Sequence, residues 1–380
     1  MGQSERFSHI DALRGLIMML MAIDHSNSFV SRQHGPEFWN GAVATYQSAA
    51  AFLTRFVTHL CAPGFFFLMG AGMCWFAASR RRAGWSERAI LKRFLLRGSA
   101  LIVLGLLFET PIPLLQGPLE RPTQPLFGLP MAPPVDGTAP TLALITLFGL
   151  GGVMILCALL QRLQPVWWAV AMAASVVATH QLLPADGKPG SVLLTMFLAP
   201  AIAHHMISMY PVIPWLAVGC FGMLCGYWWQ QYPEWRGRVV LLGVGMIVLA
   251  SGLRLAGGWG NIVAARDTSW IEFLNNVKYP PSLVFWTMSV GIDLVLLGVL
   301  SRFRHAENSP LLVFGQTPLF FYIVHFYLLI PMGLLLFRKA APLGMTYVVW
   351  LVVLAILYPL CRWYRGFKNT KPEESLWRMF

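Results

Sequence analysis

Two stretches decide how this chain is read. The first is His9-Ile-Asp11-Ala-Leu-Arg14-Gly-Leu-Ile-Met-Met-Leu-Met-Ala-Ile-Asp24-His25, and the second is Phe52-Leu-Thr-Arg55-Phe-Val-Thr-His59-Leu-Cys-Ala-Pro63-Gly64-Phe-Phe-Phe-Leu-Met-Gly70. Each is apolar enough to enter a bilayer, and each carries ionisable residues inside the apolar run. A charge at bilayer depth is expensive, so an Asp, Arg or His there marks a functional position by default.

The composition agrees with a membrane setting. Of 380 residues, 57% are hydrophobic and 12% are charged, about half the charged share of an ordinary soluble domain. Mean hydropathy is +0.60. The net charge of +12 lies in short segments between apolar runs, the pattern that sets membrane topology. No basic domain stands apart, which argues against nucleic-acid binding. The six cysteines (Cys61, Cys74, Cys157, Cys220, Cys225, Cys361) fall in apolar runs without a CxxC pair, so neither a disulfide framework nor a zinc site is expected. The first apolar run leads into further spans and does not have the form of a cleavable signal peptide.

The expected fold is all-α: a polytopic integral membrane protein of about ten helices, each near the ~20 residues that cross the hydrocarbon. The runs are 13–30, 51–77, 94–115, 140–160, 166–183, 211–229, 239–256, 281–301, 311–337 and 345–363. An eleventh apolar run, 192–207, contains Pro200, His204 and His205 and is read as an interfacial or re-entrant piece, or part of an additional span. Residues 1–370 form one domain without internal repeats, followed by a short tail over 371–380. The densest basic cluster runs from Arg80 to Arg97 and should be cytoplasmic. Both termini are then cytoplasmic, and the loops after Val30 and Pro111 lie outside. Arg236, Arg238, Arg302, Arg304, Arg362, Arg365 and Lys368 fit this scheme, while Arg338 and Lys339 run against it. The segment Glu87–Arg97 could lie along the inner surface as a basic amphipathic helix. A bacterial inner membrane suits the chain.

Depth groups the polar residues. Asp24 lies ten residues beyond Arg14, or about 15 Å along a helix. Arg55 and His59 enter from the opposite direction, four apart on one face. They therefore share the outer half with Asp24 and His25. Glu109, Arg254, Tyr322 and His325 reach a similar level from other spans. Asp24 could pair with Arg55, and His25 with His59. At the inner end Asp11 and Arg14 could pair with each other, while Asp293 needs a partner. Breaks are expected at Ala62-Pro63-Gly64 and at Tyr210-Pro211-Val-Ile-Pro214-Trp215, where irregular backbone at depth is tolerated beside a cavity.

These residues resemble the heparan-alpha-glucosaminide N-acetyltransferase-like membrane family, in particular its bacterial branch. The resemblance rests on Ile10-Asp11-Ala-Leu-Arg14-Gly15 with Met21-Ala-Ile-Asp24-His25; on Leu53-Thr54-Arg55 through His59 to Pro63 and Gly70; and on Tyr210-Pro211-Val-Ile-Pro214-Trp215 with Gly222 and Gly226. It continues in Phe273-Leu-Asn275 leading to Lys278-Tyr279-Pro280-Pro281-Ser282, and in Leu312-Val-Phe314-Gly315 through Pro318 to Tyr322 and His325. It implies a membrane-embedded acyltransferase that takes acetyl-CoA from the cytosol and acylates an acceptor, often an amino sugar or glycan, on the far side. It also implies a catalytic histidine near the first two spans, a role that could fall to His34, before Trp39-Asn40-Gly41.

Acyl transfer from a thioester needs a base for the acceptor and a donor for the oxyanion. His25 and His59 are the bases that depth favours, with His34 the candidate that the resemblance adds. Asp24 would orient the base or pair with Arg55. Arg55 would hold substrate or stabilise charge. His325, Tyr322, Glu109 and Arg254 are candidate substrate contacts. Arg14, Arg93 and Arg97 are candidates for the CoA phosphates, and no metal is expected. A homodimer is compatible with the sequence. The alternative is a proton-coupled transporter of a small polar or lipid-linked molecule, since buried Asp and His chains also serve proton relays. Transporters commonly carry repeats, and none is visible here. A bis-histidine haem protein is a more distant third reading.

Overall fold

The computed structural model describes residues 8–34, 37–40, 44–112, 136–137, 140–337, 339–372 and 375–378. Arg121 and Arg338, and most of the Pro-rich loop after Pro111, lie outside them.

The first helix, α1 (Ser8–Phe29), is the hub of the bundle. It packs against α2 (Ala49–Thr58), α3 (Cys61–Arg82), α11 (Leu283–Leu300), α12 (Pro310–Gln316), α13 (Pro318–Leu336) and α14 (Leu343–Asn369). The remaining helices are α4 (Glu87–Phe108), α5 (Thr146–Leu160), α6 (Pro165–Gln181), α7 (Val192–Phe197), α8 (Val212–Gln231), α9 (Val239–Ala256) and α10 (Trp270–Leu274). The pairs α3–α8, α4–α5 and α9–α11 make the other main contacts.

Small residues permit the closest approaches, as expected where helices pack in lipid. A Cβ on Gly15 would land on the Leu311 carbonyl, and one on Gly315 would land on the Asp11 carbonyl. Glycine at both positions lets the backbones of α1 and α12 touch. That contact fixes the start of α1 and the polar residues it carries.

Six segments among the described residues are long and apolar enough to cross a membrane: Ala49–Arg82 (α2 with α3), α8, α9, α11, α13 and α14. This is a membrane protein built mostly of helices. Each of the ten expected runs contains helix, but among the described residues only these six segments have the length and apolarity of a span. Helix α1 carries Asp11, Arg14 and Asp24, α4 starts with five charged residues in eleven, and α5 and α6 are only 15 and 17 residues long. Charge and length separate these four from the six.

Several details differ from expectation. Glu87–Arg97 is not a separate surface helix but the first half of α4, which runs unbroken to Phe108. The break in the second run falls at His59–Leu60, just before Pro63. Pro63 has no N–H for the His59 carbonyl four residues back, so the helix restarts with proline in its first turn. Pro211 likewise caps α8 rather than kinking a span.

The run 192–207 is α7 followed by a β-hairpin. Strands β2 (Ala201–Ala203) and β3 (Met206–Ser208) pair antiparallel, and β1 (Leu142–Leu144) joins β3 in parallel, in the order β1-β3-β2. His204 and His205 form the two-residue turn, with φ of 52° and 59°, the conformation that tight hairpins require. The six cysteines are buried and unpaired.

Candidate active site

The site gathers where α1 ends. Asn27 shapes the exit: its side-chain oxygen accepts the N–H groups of Gln33 (3.0 Å) and His34 (3.2 Å), and its amide donates to Ser31 Oγ (2.9 Å). Arg32 adopts a positive φ of 52°, which turns the chain back over the helix end. The result points His34 inward, with only 4% of its surface exposed.

His34 Nδ1 donates to Asp24 Oδ1 at 2.7 Å. A carboxylate can only accept, so the proton must be on Nδ1 and the lone pair on Nε2. That Nε2 is buried and has no hydrogen-bond partner. Burial pulls the His34 pKa down, against the upward pull of the Asp24 bond, and the net direction is down. The imidazole is therefore neutral at neutral pH and free to take a proton.

Arg55 ties the same carboxylate to a second one. Its Nη1 donates to Asp24 Oδ1 at 2.6 Å, while Nε and Nη2 grip Glu37 Oε1 and Oε2 at 3.0 and 2.5 Å. This fork-on-carboxylate geometry is the strong form of the interaction. Glu37 Oε1 also accepts from His59 Nε2 at 2.5 Å. Burial alone would raise the Glu37 pKa, but Arg55 and His59 together hold it far below the carboxylate range, so it stays ionised. The His59 ring meets Phe285 edge-on, with centroids 5.2 Å apart.

His25 does not meet His59, as the depth argument allowed. Its Nδ1 lies 2.6 Å from His325 Nε2. His325 Nδ1 faces the Phe321 carbonyl at 3.1 Å and must donate to it, so His25 is the donor in the imidazole pair.

Loop 275–282 closes the site from the far part of the chain. Tyr279 N–H donates to the Glu37 carbonyl (3.1 Å) and Trp39 N–H to the Tyr279 carbonyl (2.9 Å). This stitches the His34 loop to the segment holding Lys278. The Tyr279 hydroxyl reaches that of Tyr210 at 3.4 Å.

Four residues that the sequence singles out make no hydrogen bond to this cluster, although the Tyr322 ring packs against His325 with centroids 5.6 Å apart. Glu109 accepts from the Leu147 N–H at 3.0 Å and from the Tyr322 hydroxyl at 2.5 Å, so both residues serve to anchor the start of α5. Arg254 is consumed by the Val263, Glu272, Phe273 and Asn275 carbonyls and by Asn261. Asp293 is buried, with neither carboxyl oxygen hydrogen-bonded.

At the other end of α1, Arg14 donates to Asp11 (2.8 Å) and to the Gly315 carbonyl (2.9 Å). Arg97 feels the charges of Arg14 and Arg93, and Lys368 those of Arg97, Arg14 and Arg378. The three predicted arginines therefore share one basic patch, which Lys368 and Arg378 enlarge.

Glu37, Asn27 and Lys278 were missed as site residues. Glu37 and Lys278 lie in loops, where a charge carries no signal by itself, and only the position of Glu37 near His34 hinted at its use.

Residues 6–257 match the heparan-alpha-glucosaminide N-acetyltransferase catalytic family, well over half of the chain. The chain belongs to this family. It is accordingly a membrane protein of an acetyltransferase family, and the transporter reading gains no support. Comparison with individually curated proteins gives no match. Within the family match fall Asp24, His25, His34, Glu37, Arg55 and His59; Lys278 and His325 come from beyond it.

Proposed function

We propose that the protein moves an acyl group, in the first place acetyl, from cytosolic acyl-CoA to a hydroxyl or amine of a sugar or glycan on the opposite side of the membrane. The observation that carries this reading is the Asp24–His34 pair with its open Nε2. His34 accepts the acceptor's proton. Asp24 fixes the tautomer and offsets the imidazolium that results, the role a carboxylate plays behind a histidine base. Arg55 and Glu37 hold Asp24 rigidly from behind.

His25 also presents a lone pair on Nε2, but its backing group is the neutral imidazole of His325. A proton gained there would lack a carboxylate partner, so we assign the base to His34. His59 is engaged with Glu37 through Nε2 and acts as a brace.

The basic patch around Arg14, Arg93, Arg97 and Lys368 would hold the CoA phosphates. Excess positive charge there and along Arg80–Arg97 supports a cytoplasmic position for that face. With ten crossings both termini are cytoplasmic, in a bacterial inner membrane, and residues 1–370 act as one domain.

The deciding experiment is thermal stabilisation of the purified protein by CoA and acetyl-CoA, followed by release of free thiol from acetyl-CoA. Saturable stabilisation with thiol release that disappears in His34→Ala supports the reading. A folded protein indifferent to millimolar CoA refutes the donor assignment.

A further inference from the structure

Lys278 is 3% exposed, yet its ammonium makes no hydrogen bond or ion pair with any described residue. It lies over the face of Tyr279, 5.1 Å from nitrogen to ring centroid. A buried cation without a partner is costly, and a structural lysine would normally have found a carboxylate.

Carboxylates are nearby. The Lys278 charge is felt by Asp24, His25 and His59, and the backbone stitch at Tyr279 ties its loop to Glu37 and Trp39. Both neighbouring carboxylates are already taken, however. Asp24 is held by His34 and Arg55, and Glu37 by Arg55 and His59.

Charge decides what the ammonium waits for. Asp24 and Glu37 balance Arg55 and Lys278, so the resting site is neutral with His34 uncharged. A permanently anionic acceptor would leave it one charge negative. An oxyanion that appears together with a protonated His34 leaves it neutral throughout.

We propose that the Lys278 ammonium receives the carbonyl oxygen of the acyl group as the tetrahedral intermediate forms. This rests on the transferase reading above. The acceptor oxygen or nitrogen bonds to the thioester carbon and its proton passes to His34 Nε2. The carbonyl π pair moves onto oxygen, where Lys278 donates to it. The intermediate then collapses: the C=O bond re-forms, the C–S bond breaks, and the departing thiolate takes the proton from His34. A donor aimed at developing charge in a water-poor site is the largest single lever that acyl transfer offers.

The test compares Lys278→Met and Lys278→Arg with the parent and His34→Ala. All are full-length, with acetyl-CoA as donor and glucosamine as the acceptor probe. For Lys278→Met we expect kcat to fall about 10²- to 10³-fold. The Kd for acetyl-CoA should stay within about threefold, and the ligand-free melting temperature should hold or rise, since a costly charge has gone. Lys278→Arg should recover part of the lost kcat. A kcat within about threefold of the parent overturns the proposal. So does an effect confined to the acceptor KM, which would mark a site for an anionic acceptor. A variant that melts lower or fails to fold would make Lys278 a structural counter-charge, and overturns it too. Failure of the transferase reading looks different: the parent itself neither binds acetyl-CoA nor releases thiol.

Discussion

The two ends of α1 carry charge in opposite styles. At its C-terminal end the groups are buried or part-buried, both signs are present in equal number, and, Lys278 and His34 Nε2 apart, the charged side chains are joined by hydrogen bonds of 2.5–3.0 Å. At its N-terminal end the groups are cations in excess, half-buried or exposed, and their partners are mostly backbone carbonyls or an amide: Gly315 for Arg14, Gln316 for Lys368, Glu307 and Asn308 for Arg365. A rigid, neutral cluster suits a reaction that needs one proton moved at one place. A loose, positive one suits capture of a flexible polyanion, because screening and side-chain freedom make each contact weak and replaceable.

The sharpest way to break this comparison is to remove the base. His34→Ala should lower acetyl transfer at least about 10³-fold, whereas His25→Ala should lower it less than about tenfold, as measured by thiol release under saturating acetyl-CoA. Equal losses would merge the two histidines into one functional unit and end the assignment of the base to His34. The same comparison has a pH form. The base must be uncharged to work, and burial holds the His34 pKa below its ordinary value. Activity in the parent should therefore be flat through neutral pH and decline on the acid side.

Next in size is the brace. Glu37→Gln leaves Arg55 buried with half its negative partners gone, which should cost about 3 kcal/mol of stability, read as a lower melting temperature in a fixed detergent. No loss of stability would mean that the Arg55 fork is solvated and the cluster is not rigid.

At the N-terminal end effects should be smaller and salt-dependent. Arg14→Ala or Arg97→Ala should raise the Kd for CoA by about tenfold at low ionic strength and less at high, with kcat unchanged. A salt-independent change would argue for a buried, built subsite.

The smallest effect is expected outside both ends. Arg266 pairs with Glu272, and Asn275 donates to the same carboxylate. Burial opposes ionisation of Glu272, but these donors win and bring its pKa down to about 2. A depressed carboxylate contributes stability above its unfolded value, and loses it as pH falls toward the folded one. Glu272→Gln should cost about 1 kcal/mol at pH 7 and nothing near pH 2, as measured by the pH dependence of melting.

Much of this was legible in the sequence because membranes make it so. Asp24, Arg55 and His59 stand out as ionisable residues in apolar runs, and the structure brings Asp24 and Arg55 into contact. His25 stood out for the same reason, but depth alone could not choose between His59 and His325 as its partner. That choice depends on which helices touch, and α1 packs on α13 as well as on α2.

Glu109 and Arg254 show another use of such residues. An ionisable residue near a helix end also satisfies orphaned backbone groups, and both do this. Loop residues carried no depth signal at all. Glu37 and Lys278 acquire their meaning only from the stitch between two segments some 240 positions apart. The hairpin at 201–208 was hidden because six residues of short strand have the same apolar composition as a helix fragment.

One consequence of α1 concerns length. Because it is a single unbroken helix, it acts as a ruler between Arg14 and Asp24, and under the proposed reaction the thioester arm of the donor would have to match it. Adding one residue between Met18 and Met21 would lengthen the ruler by about 1.5 Å and turn one end by about 100° relative to the other, changing the facing that the native spacing sets. Adding seven would nearly restore the facing, with an error of about 20°, but would lengthen the ruler by about 10.5 Å. Donors with longer or shorter arms between thioester and phosphates are thus the natural probes of an insertion series. The insertion that best tolerates a longer arm would measure the span directly.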